Sequence, residues 1–257
     1  AINVDGLEWK RDKWNFLGKS YFKIAAWFST KVSNKIIADS KGIADFYKRR
    51  WNTDSTLIEY GAYVKKSSNI KVLDDFNIKK QKFFLQITRF EPENNPLLTI
   101  NAFKQFKLEN PNSNLKLIIV GDVPYPSMYS ESIKSEKRED IILPGYLYDV
   151  NILTELRANS LAYIHGNQVG GTNPALLEAM GSHAFIIARS VNFNHEVLEK
   201  GGIYYENDID SLKNCFNLVY LKRVDRSEAI DFCVNKVKIY YNWDRIAQKY
   251  RGMIEKL

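Results

Sequence analysis

Residues 161–180 read LAYIHGNQVGGTNPALLEAM, and this stretch decides the fold. The apolar run 161–164 is short enough for a buried strand, and a pair of glycines follows it. Pro174 then suits the first turn of a helix, because the N–H that it lacks has no partner there anyway. The stretch therefore predicts a strand, a glycine loop and a helix in direct succession, which is the repeating unit of an α/β fold.

The glycine loop is a candidate binding site for an anion. Gly170 and Gly171 would let the backbone approach a ligand closely. The free N–H groups of Thr172 and Asn173, together with the helix dipole, would then attract a negative charge. Glu178, on the helix that follows, is placed to accept hydrogen bonds from ribose hydroxyls. The plain alternative is a glycine turn that caps a buried helix, since short motifs of this kind discriminate loosely.

Further short apolar runs lie on both sides of this stretch, and helix-period segments separate them. The apolar runs are 83–87, 115–120, 141–143 and 184–187, and the helical segments are 97–108, 151–158 and 174–180. Strands that alternate with helices imply a parallel sheet covered on both faces. Such sheets bind ligands beyond the carboxyl ends of their strands, so the residues just after each run are the candidates for chemistry.

Arg89 is the second candidate for binding an anion. It follows the run 83–87 and precedes the helical segment 97–108, so it would lie at the carboxyl end of a strand. An arginine in that place can grip a diphosphate through two parallel hydrogen bonds. A surface ion pair with Glu91 or Glu93 is the alternative.

Three more segments sit close to predicted strands. Tyr146, behind the turn residues Pro144 and Gly145, is a candidate for holding a nucleobase, with a core tyrosine as the equal alternative. His165 lies beside the glycine loop, although a lone histidine at a strand end is more often structural than catalytic. The charged segment 4–11 is a candidate to face a sugar acceptor, with a charged surface loop as the usual alternative.

Composition narrows the class of protein. The chain has 257 residues, a net charge of +7 and two cysteines. No apolar run approaches the roughly 20 residues that span a bilayer, and the first residues lack the pattern of a signal peptide, so a cytoplasmic location is expected. The positive charge favours anionic partners, but no basic stripe interleaved with aromatic residues points to nucleic acid.

The cysteines and histidines carry no recognisable metal or disulfide pattern. Cys215 and Cys233 lie in apolar-periodic stretches and are expected to be buried, inert thiols. His165, His183 and His195 lack the spacing of metal ligands, so no metal site is expected.

The chain before residue 65 shows a different pattern. Helices are predicted over 17–32 and 41–50, and strands over 35–38 and 56–60. These pieces are too few to close a sheet alone, so the chain is expected to begin partway through an N-terminal domain. Further along, 64–80 is predicted to be a linker, and the chain is predicted to end in helices 209–220, 226–240 and 243–256.

Several of these segments, taken in order, resemble the GT-B glycosyltransferases of the large retaining family 4, and most of all the bacterial polysaccharide rhamnosyltransferases. The segments are 5–14, 37–40, 89–95, 165–166 and 169–178. The resemblance covers nearly the whole chain, and its most specific part is Gly-Gly-Thr-Asn-Pro with the downstream glutamate. It implies an α/β fold with one complete Rossmann-like domain and a partial N-terminal one, which face each other across a cleft.

The resemblance also implies a division of the chain and roles for its residues. The expected parts are 1–64, the remnant of an acceptor-side domain; 65–240, the domain that binds the nucleotide-sugar donor; and 241–257, a helix that crosses back. Arg89 and the backbone N–H groups of Thr172 and Asn173 would contact the diphosphate. Glu178 would hold the ribose.

Three departures from the family pattern bear on the chemistry. Gly170 stands where the Glu-x7-Glu motif of the family has its first glutamate, which usually faces the donor sugar. Asn94 stands where many members have a lysine near the diphosphate. Asp5 falls near a histidine that many members carry close to the donor sugar, so a catalytic role for Asp5 is the corresponding hypothesis. His165 is a further candidate on the sugar side.

The function that the resemblance implies is a retaining transfer of rhamnosyl from dTDP-rhamnose, or of another sugar from a dTDP- or UDP-sugar, to a saccharide or lipid-linked acceptor at the inner face of the membrane. No cofactor or metal is expected, since the nucleotide sugar is a substrate and Arg89 with the helix start can stabilise the leaving diphosphate. The net charge fits peripheral contact with anionic lipid. The alternative, motivated by Gly170, is a non-catalytic subunit that binds a nucleotide sugar.

Overall fold

Two parallel sheets organise the chain, as the alternation of strands and helices predicts. The computed structural model describes residues 1–4, 6–11 and 14–256. The small sheet consists of β1 (Ile2–Val4), β2 (Ile36–Ala38) and β3 (Ser55–Leu57), in that order. The large sheet consists of β4 (Phe83–Ile87), β5 (Lys116–Val120), β6 (Ile141–Gly145), β7 (Ala162–His165), β8 (Ile186–Arg189) and β9 (Gly202–Tyr205). Every pair of neighbouring strands is parallel, which confirms the α/β fold class.

Helices connect these strands. They are α1 (Phe16–Val32), α2 (Lys41–Trp51), α3 (Pro96–Glu109), α4 (Met128–Lys134), α5 (Val150–Asn159), α6 (Pro174–Gly181), α7 (Asn192–Leu198), α8 (Ile209–Tyr220), α9 (Arg226–Tyr240) and α10 (Trp243–Ile254). Short 3-10 helices occupy Glu8–Lys10, Ile70–Phe76 and Pro92–Asn94. The structure confirms the strand, glycine loop and helix of residues 161–180, since β7 leads through the loop into α6.

The large sheet reverses direction between β4 and β7. Its spatial order is β6-β5-β4-β7-β8-β9, so the chain first builds outward on one side of β4 and then returns to build on the other side. This is the order of a doubly wound, Rossmann-like sheet. After β4 the chain continues to β5 on one side, and after β7 it continues to β8 on the other. Sheets of this kind bind their ligands in a crevice beyond the strand ends at such a point.

Aromatic residues form the centre of the core on one face of the large sheet. Phe84, Phe103, Phe106 and Phe216 are all fully buried. The rings of Phe84 and Phe216 stack with centroids 4.3 Å apart, and Phe84 meets Phe106 edge-on at 5.9 Å. Burial of a phenylalanine contributes about 1.5–3 kcal/mol to folding, and these ring geometries contribute further.

The opposite face of the large sheet is covered by α6 and α9. Leu176, Leu177 and Met180 of α6 are fully buried in this second core, as is Val237 of α9. Because α6 packs tightly on the sheet, the glycine loop in front of it is held at a defined height above the strand ends. Cys233 lies in this core and Cys215 in the first one, and burial raises the pKa of each thiol to about 12.

The prediction that 64–80 is a structureless linker is wrong in part. Residues Ile70–Phe76 form a 3-10 helix, and Leu73 is buried against the large sheet. The buried carboxylate of Glu155 accepts hydrogen bonds from the Ser67 hydroxyl at 2.7 Å and from the backbone N–H of Asn69 at 2.8 Å. Polar residues of this segment therefore have a structural role, because the segment provides hydrogen-bond donors to the buried Glu155 carboxylate.

Three elements have no signal in the apolar periodicity. They are β9, α4 and α7, which contain four, seven and seven residues. The two helices have only about two turns each, too few for a helical period to be visible in the sequence. Strand β9 is also an edge strand with only Tyr205 buried.

Helix α1 is the exception to the pattern of buried helices. Its predicted bounds are confirmed to within a residue, yet none of its residues is buried. Its large apolar side chains are exposed over a third or more of their surface: Phe16, Leu17, Tyr21, Ile24, Trp27, Phe28 and Val32. Among the residues that the structure describes, no helix is both long and apolar enough to cross a bilayer.

The last helix, α10, packs on the small sheet. Ile246 and Met253 are buried together with Ile37 and Ile58, which lie in and just after the strands of that sheet. Gly61 faces the Trp243 ring so closely that a Cβ at residue 61 would lie 2.6 Å from a ring carbon. The helix therefore ties the end of the chain to its beginning. The domain boundaries at residues 64 and 240 stay a prediction.

Candidate functional site

The loops that follow β4 and β7 meet at the point where the large sheet reverses. The amide of Asn95 donates to the carbonyl of Gly166 at 2.8 Å, and the backbone N–H of Gln168 donates to the carbonyl of Glu93 at 3.0 Å. Gly166 is required here, because a Cβ on it would lie 2.3 Å from the Asn94 carbonyl oxygen. The topology thus brings together two segments that lie about 70 positions apart in the sequence.

Arg89 stands exposed at the carboxyl end of β4. The alternative of an ion pair with Glu91 or Glu93 is not what the structure shows. Glu91 instead accepts a hydrogen bond from the Tyr125 hydroxyl, and Glu93 faces Arg11. Among the described residues the Arg89 guanidinium makes no ion pair, so it is available to a ligand.

Asn94 lies directly beneath this arginine and is buried. Its side-chain amide donates to the Arg89 carbonyl at 3.1 Å, and its side-chain oxygen accepts from Asn167 at 3.0 Å. Its backbone carbonyl accepts from Gln86 at 2.9 Å. Asn94 therefore links the β4 loop to the β7 loop and fixes the backbone that carries Arg89. A direct contact between Asn94 and a diphosphate stays a prediction.

The glycine loop packs against the small sheet. A Cβ on Gly171 would lie 1.9 Å from Oδ1 of Asp39, at the end of β2, and the Thr172 hydroxyl donates to the Asp39 carbonyl at 2.6 Å. Gly170 has φ near +149°, a conformation that side chains disfavour. Gly171 therefore serves a close approach between the loop and the small sheet, and Gly170 serves the conformation of the loop; both constraints act in addition to any approach to a ligand.

Helix α6 begins at this loop. The Asn173 side chain caps it by accepting from the N–H of Ala175 at 2.9 Å, and Pro174 occupies its first turn. The next two N–H groups of the helix donate to the Asn173 carbonyl at 3.1 and 3.2 Å. The backbone N–H groups of Thr172 and Asn173, just before the helix, have no hydrogen-bond partner among the described residues. They lie with the dipole of α6 at the same strand ends as Arg89, which is the arrangement that binds phosphate groups.

Glu178 lies on α6 with half of its side chain exposed. Its Oε2 accepts from Nη2 of Arg157 at 2.5 Å, and Arg157 of α5 is 3% exposed. Sequence reasoning missed Arg157 because nothing in a single sequence pairs residues on different helices.

His165 is the last residue of β7 and is 1% exposed. Burial lowers the pKa of its imidazole to about 3, so the ring is neutral over the ordinary pH range. It lies parallel to the Tyr163 ring with centroids 6.4 Å apart. These surroundings are those of a structural histidine, and a contact between His165 and a sugar stays a prediction.

Tyr146 is 41% exposed, so the alternative of a core tyrosine is wrong. Its ring stacks on the exposed ring of Tyr148 with centroids 5.8 Å apart and an interplanar angle of 21°. The two rings stand after β6, on the same side of the sheet as Arg89. The sequence did not single out Tyr148, because the stacking of two tyrosines two positions apart depends on the conformation of the loop.

Residues of the N-terminal segment approach the site from the small sheet. Nη1 of Arg11 lies 3.5 Å from Oε1 of the buried Glu93, and Nε of the same arginine lies 2.6 Å from Oε1 of Glu8. Through Arg11, the charged segment thus contacts the loop after β4. Asp5, the hypothetical catalytic carboxylate, lies outside the described residues. Among those described, no group of three or more His, Cys, Asp or Glu side chains is placed to hold a metal ion.

Two known sequence families match parts of this chain. The family described as Glycosyl transferases group 1 matches residues 71–231, and a domain of unknown function, DUF1972, matches residues 1–63. The O-antigen chain mannosyltransferase RfbU of Salmonella typhimurium is 26% identical over 197 residues, which is 76% of this chain and 53% of the relative. Protein CapJ of Staphylococcus aureus is 25% identical over 123 residues, 48% of this chain and 32% of the relative. The chain thus spans about half the length, or less, of these curated relatives.

Solved structures share the fold at low sequence identity. Anabaena Alr3699/HepE in complex with UDP superposes with a TM-score of 0.81 at 14% identity, over 99% of this chain and 71% of that chain. TarM gives 0.74 at 15% identity, over 97% and 49%. The pneumococcal O-GlcNAc transferase GtfA in complex with UDP and GlcNAc gives 0.74 at 15% identity, over 99% and 52%. The GT-B type of fold is therefore confirmed.

The match to residues 71–231 covers more than half of the chain and includes both loops of the crevice. The chain accordingly belongs to the glycosyl transferases group 1 family.

Proposed function

We propose that this chain binds a nucleoside-diphosphate sugar in the crevice between β4 and β7 and forms the donor-binding part of a glycosyltransferase of polysaccharide assembly. The observation that carries this proposal is that the loop after β4, which carries Arg89, contacts the loop after β7, which leads into α6, at the reversal point of the large sheet. An uncommitted guanidinium and a helix N-terminus then lie at the same strand ends.

The proposed site divides the donor among the residues around the crevice. The diphosphate lies between the Arg89 guanidinium and the backbone N–H groups of Thr172 and Asn173 at the start of α6, where the charge and the helix dipole both favour an anion. The base lies against Tyr146 and Tyr148, and the free hydroxyls of the pentose, ribose or deoxyribose, bind Glu178. Arg89 and the helix start also stabilise the negative charge that develops on the diphosphate as it leaves.

Residue 170 is a glycine, so the proposed transfer uses no carboxylate at that position. In the proposed retaining reaction, a bond forms between the acceptor oxygen and the anomeric carbon on the face where the bond to the diphosphate breaks. The proton of the acceptor hydroxyl passes to the leaving phosphate oxygen. No protein nucleophile is needed for this step, which agrees with a glycine at that position.

The donor and the acceptor are proposed from the relatives and the resemblance together. HepE and GtfA were solved with UDP, RfbU is named a mannosyltransferase of the O-antigen chain, and the motifs resemble rhamnosyltransferases. The proposed donor is dTDP-rhamnose, from which rhamnosyl is transferred. UDP-sugars and mannosyl donors are the alternatives. The acceptor is a saccharide or lipid-linked saccharide at the inner face of the membrane, where the net charge of +7 favours anionic lipid.

Isothermal titration with dTDP, UDP and GDP tests the donor site. Arg89→Ala is expected to weaken the binding of the preferred nucleotide at least tenfold, because the diphosphate loses a charge-assisted contact. Arg138→Ala is the matched control, since Arg138 is also exposed but pairs with Asp140 at the amino end of β6. If none of the nucleotides binds, or if both variants bind like the wild type, the donor site is assigned wrongly.

A transfer assay separates the enzyme from a binding subunit. Radiolabelled dTDP-rhamnose, UDP-glucose and GDP-mannose are each supplied with membrane lipids that carry saccharide acceptors, and labelled product is measured. Transfer from one donor supports the enzyme and names its sugar. Binding without transfer by the full-length gene product supports the non-catalytic subunit.

A further inference from the structure

The pair between Arg157 and Glu178 joins one of the most buried cations of the chain to an exposed anion. Arg157 of α5 is 3% exposed, whereas Glu178 of α6 is 50% exposed, and Nη2 and Oε2 are 2.5 Å apart. Nε of Arg157 is also buried and has no hydrogen-bond partner among the described residues. The ion pair with Glu178 is therefore the contact that compensates a buried guanidinium.

This arrangement restricts the glutamate more than the arginine. A buried arginine is held by the side chains that enclose it, whereas a half-exposed glutamate on a helix samples several rotamers and loses that freedom only when a partner fixes it. A single guanidinium nitrogen binds Oε2 and leaves Oε1 for other donors. The carboxylate is thus presented to the solvent in one orientation, with one oxygen already occupied.

The pair lies close to the crevice. The Tyr163 hydroxyl donates to the carbonyl of Ile87 at 3.4 Å, and Ile87 ends the strand that leads to Arg89. The charges of Arg157 and Glu178 both act on this same tyrosine. The pair therefore lies near the end of β4, the strand that leads to Arg89.

We infer that Arg157 is a positioning residue, which holds the Glu178 carboxylate in the orientation that accepts the hydroxyls of a pentose. This inference rests on the proposed function. It adds that the site selects nucleoside diphosphates over other diphosphates, such as lipid diphosphates, through a carboxylate whose orientation is set from the protein interior. Arg157 itself does not touch the ligand.

Binding of UDP, 2′,3′-dideoxy-UDP and inorganic diphosphate to Arg157→Met tests this inference, because the dideoxy analogue lacks every hydroxyl that the carboxylate could accept. Methionine fills the buried space without the charge. We expect UDP to bind roughly five- to twentyfold more weakly, inorganic diphosphate to bind as before, and the wild-type preference for UDP over 2′,3′-dideoxy-UDP to disappear. A merely structural arginine would weaken all three ligands alike, and that result would overturn the inference.

Two further variants keep the test decisive. Arg226→Met is the control, because Arg226 is also partly buried but donates to the Leu161 carbonyl at the amino end of β7. Arg157→Lys restores the charge and is expected to recover part of the preference even if Arg157→Met folds poorly. The double variant Arg157→Met/Glu178→Ala is expected to bind UDP like Glu178→Ala alone, and additive losses would contradict the coupling.

The failure of this inference differs from the failure of the proposed function. If the wild type binds neither UDP nor inorganic diphosphate, the donor site is absent and the proposed function falls. If the wild type binds both and Arg157→Met keeps the preference for UDP, only the role of Arg157 falls.

Discussion

The small and the large sheet are built from the same units, yet their helices meet very different surroundings. Helix α3, which covers the large sheet, buries six of its residues. Helix α1, which follows the first strand of the small sheet, is longer and buries none. Both helices show apolar residues at helical spacing. The comparison teaches that periodicity predicts a helix and its apolar face, but not whether that face has a partner.

The two sheets also differ in how they stay in place. The large sheet is held by its own cores on both faces. The small sheet has a minor core around Ile43 and Tyr47, and it depends on contacts with α10 and with the glycine loop. We therefore expect the large sheet to dominate the stability of the chain and the small sheet to report on the contacts between the two.

The largest effect is expected in the aromatic core of the large sheet. Phe84→Ala should lower the free energy of unfolding by about 3–5 kcal/mol, because it removes a stacked ring and leaves a cavity. Chemical denaturation followed by circular dichroism measures the loss. Phe28→Ala on the exposed face of α1 is the matched control and should change stability by less than about 0.5 kcal/mol. Equal losses in both variants would break the comparison between the sheets.

A smaller effect is expected where the two sheets touch. Gly171→Ala places a Cβ 1.9 Å from the Asp39 carboxylate oxygen, so the loop or β2 must move. The cost should be about 1–3 kcal/mol, and hydrogen exchange should rise in β2 while it stays low in β4. Gly252→Ala is the control, since a Cβ there meets no atom within 4 Å and alanine favours a helix by about 0.5–1 kcal/mol. Unchanged exchange in β2 would show that the sheets are not coupled through this loop.

The smallest effect on stability at neutral pH is expected for His165, at the carboxyl end of the central strand β7. Burial lowers the pKa of His165 from 6.5 to about 3, so between these values the unfolded chain binds a proton that the folded chain does not. Stability due to this group is therefore complete above the unfolded pKa and falls by about 1.4 kcal/mol per pH unit below it. His165→Gln should flatten the pH dependence of unfolding between pH 6.5 and 4, as followed by chemical denaturation at each pH. If His165→Gln kept the wild-type pH dependence of stability, burial of His165 would not be its cause.

Much of the large sheet could be predicted because its signals are local. The run 83–87 and the helical segment 97–108 differ from β4 and α3 by no more than a residue at each end. Asn173 and Pro174 mark the start of α6 by their capping chemistry. Local signals fail in short elements, and they failed for the segment Ile70–Phe76, whose structure depends on the distant Glu155.

The candidate site was predictable in part for the same reason. Arg89 and Glu178 could be singled out because each follows a strand or lies on a helix with a recognisable start. Asn94 and His165 could be singled out too, but not their burial, because burial depends on what the neighbouring loop places over them. Arg157 could not be found, since its role depends on the packing of α5 against α6.

The local signals in the chain were enough to predict the strand, glycine loop and helix of residues 161–180 and the parallel character of the large sheet, because period, turn and cap are properties of neighbouring residues. Only the tertiary structure decided that the loop after β4 meets the loop after β7, that Asp39 closes over Gly171, and that Arg157 holds Glu178. Each of these contacts joins residues from 21 to 133 positions apart. Strand order and helix packing bring such residues together, and no local pattern encodes them.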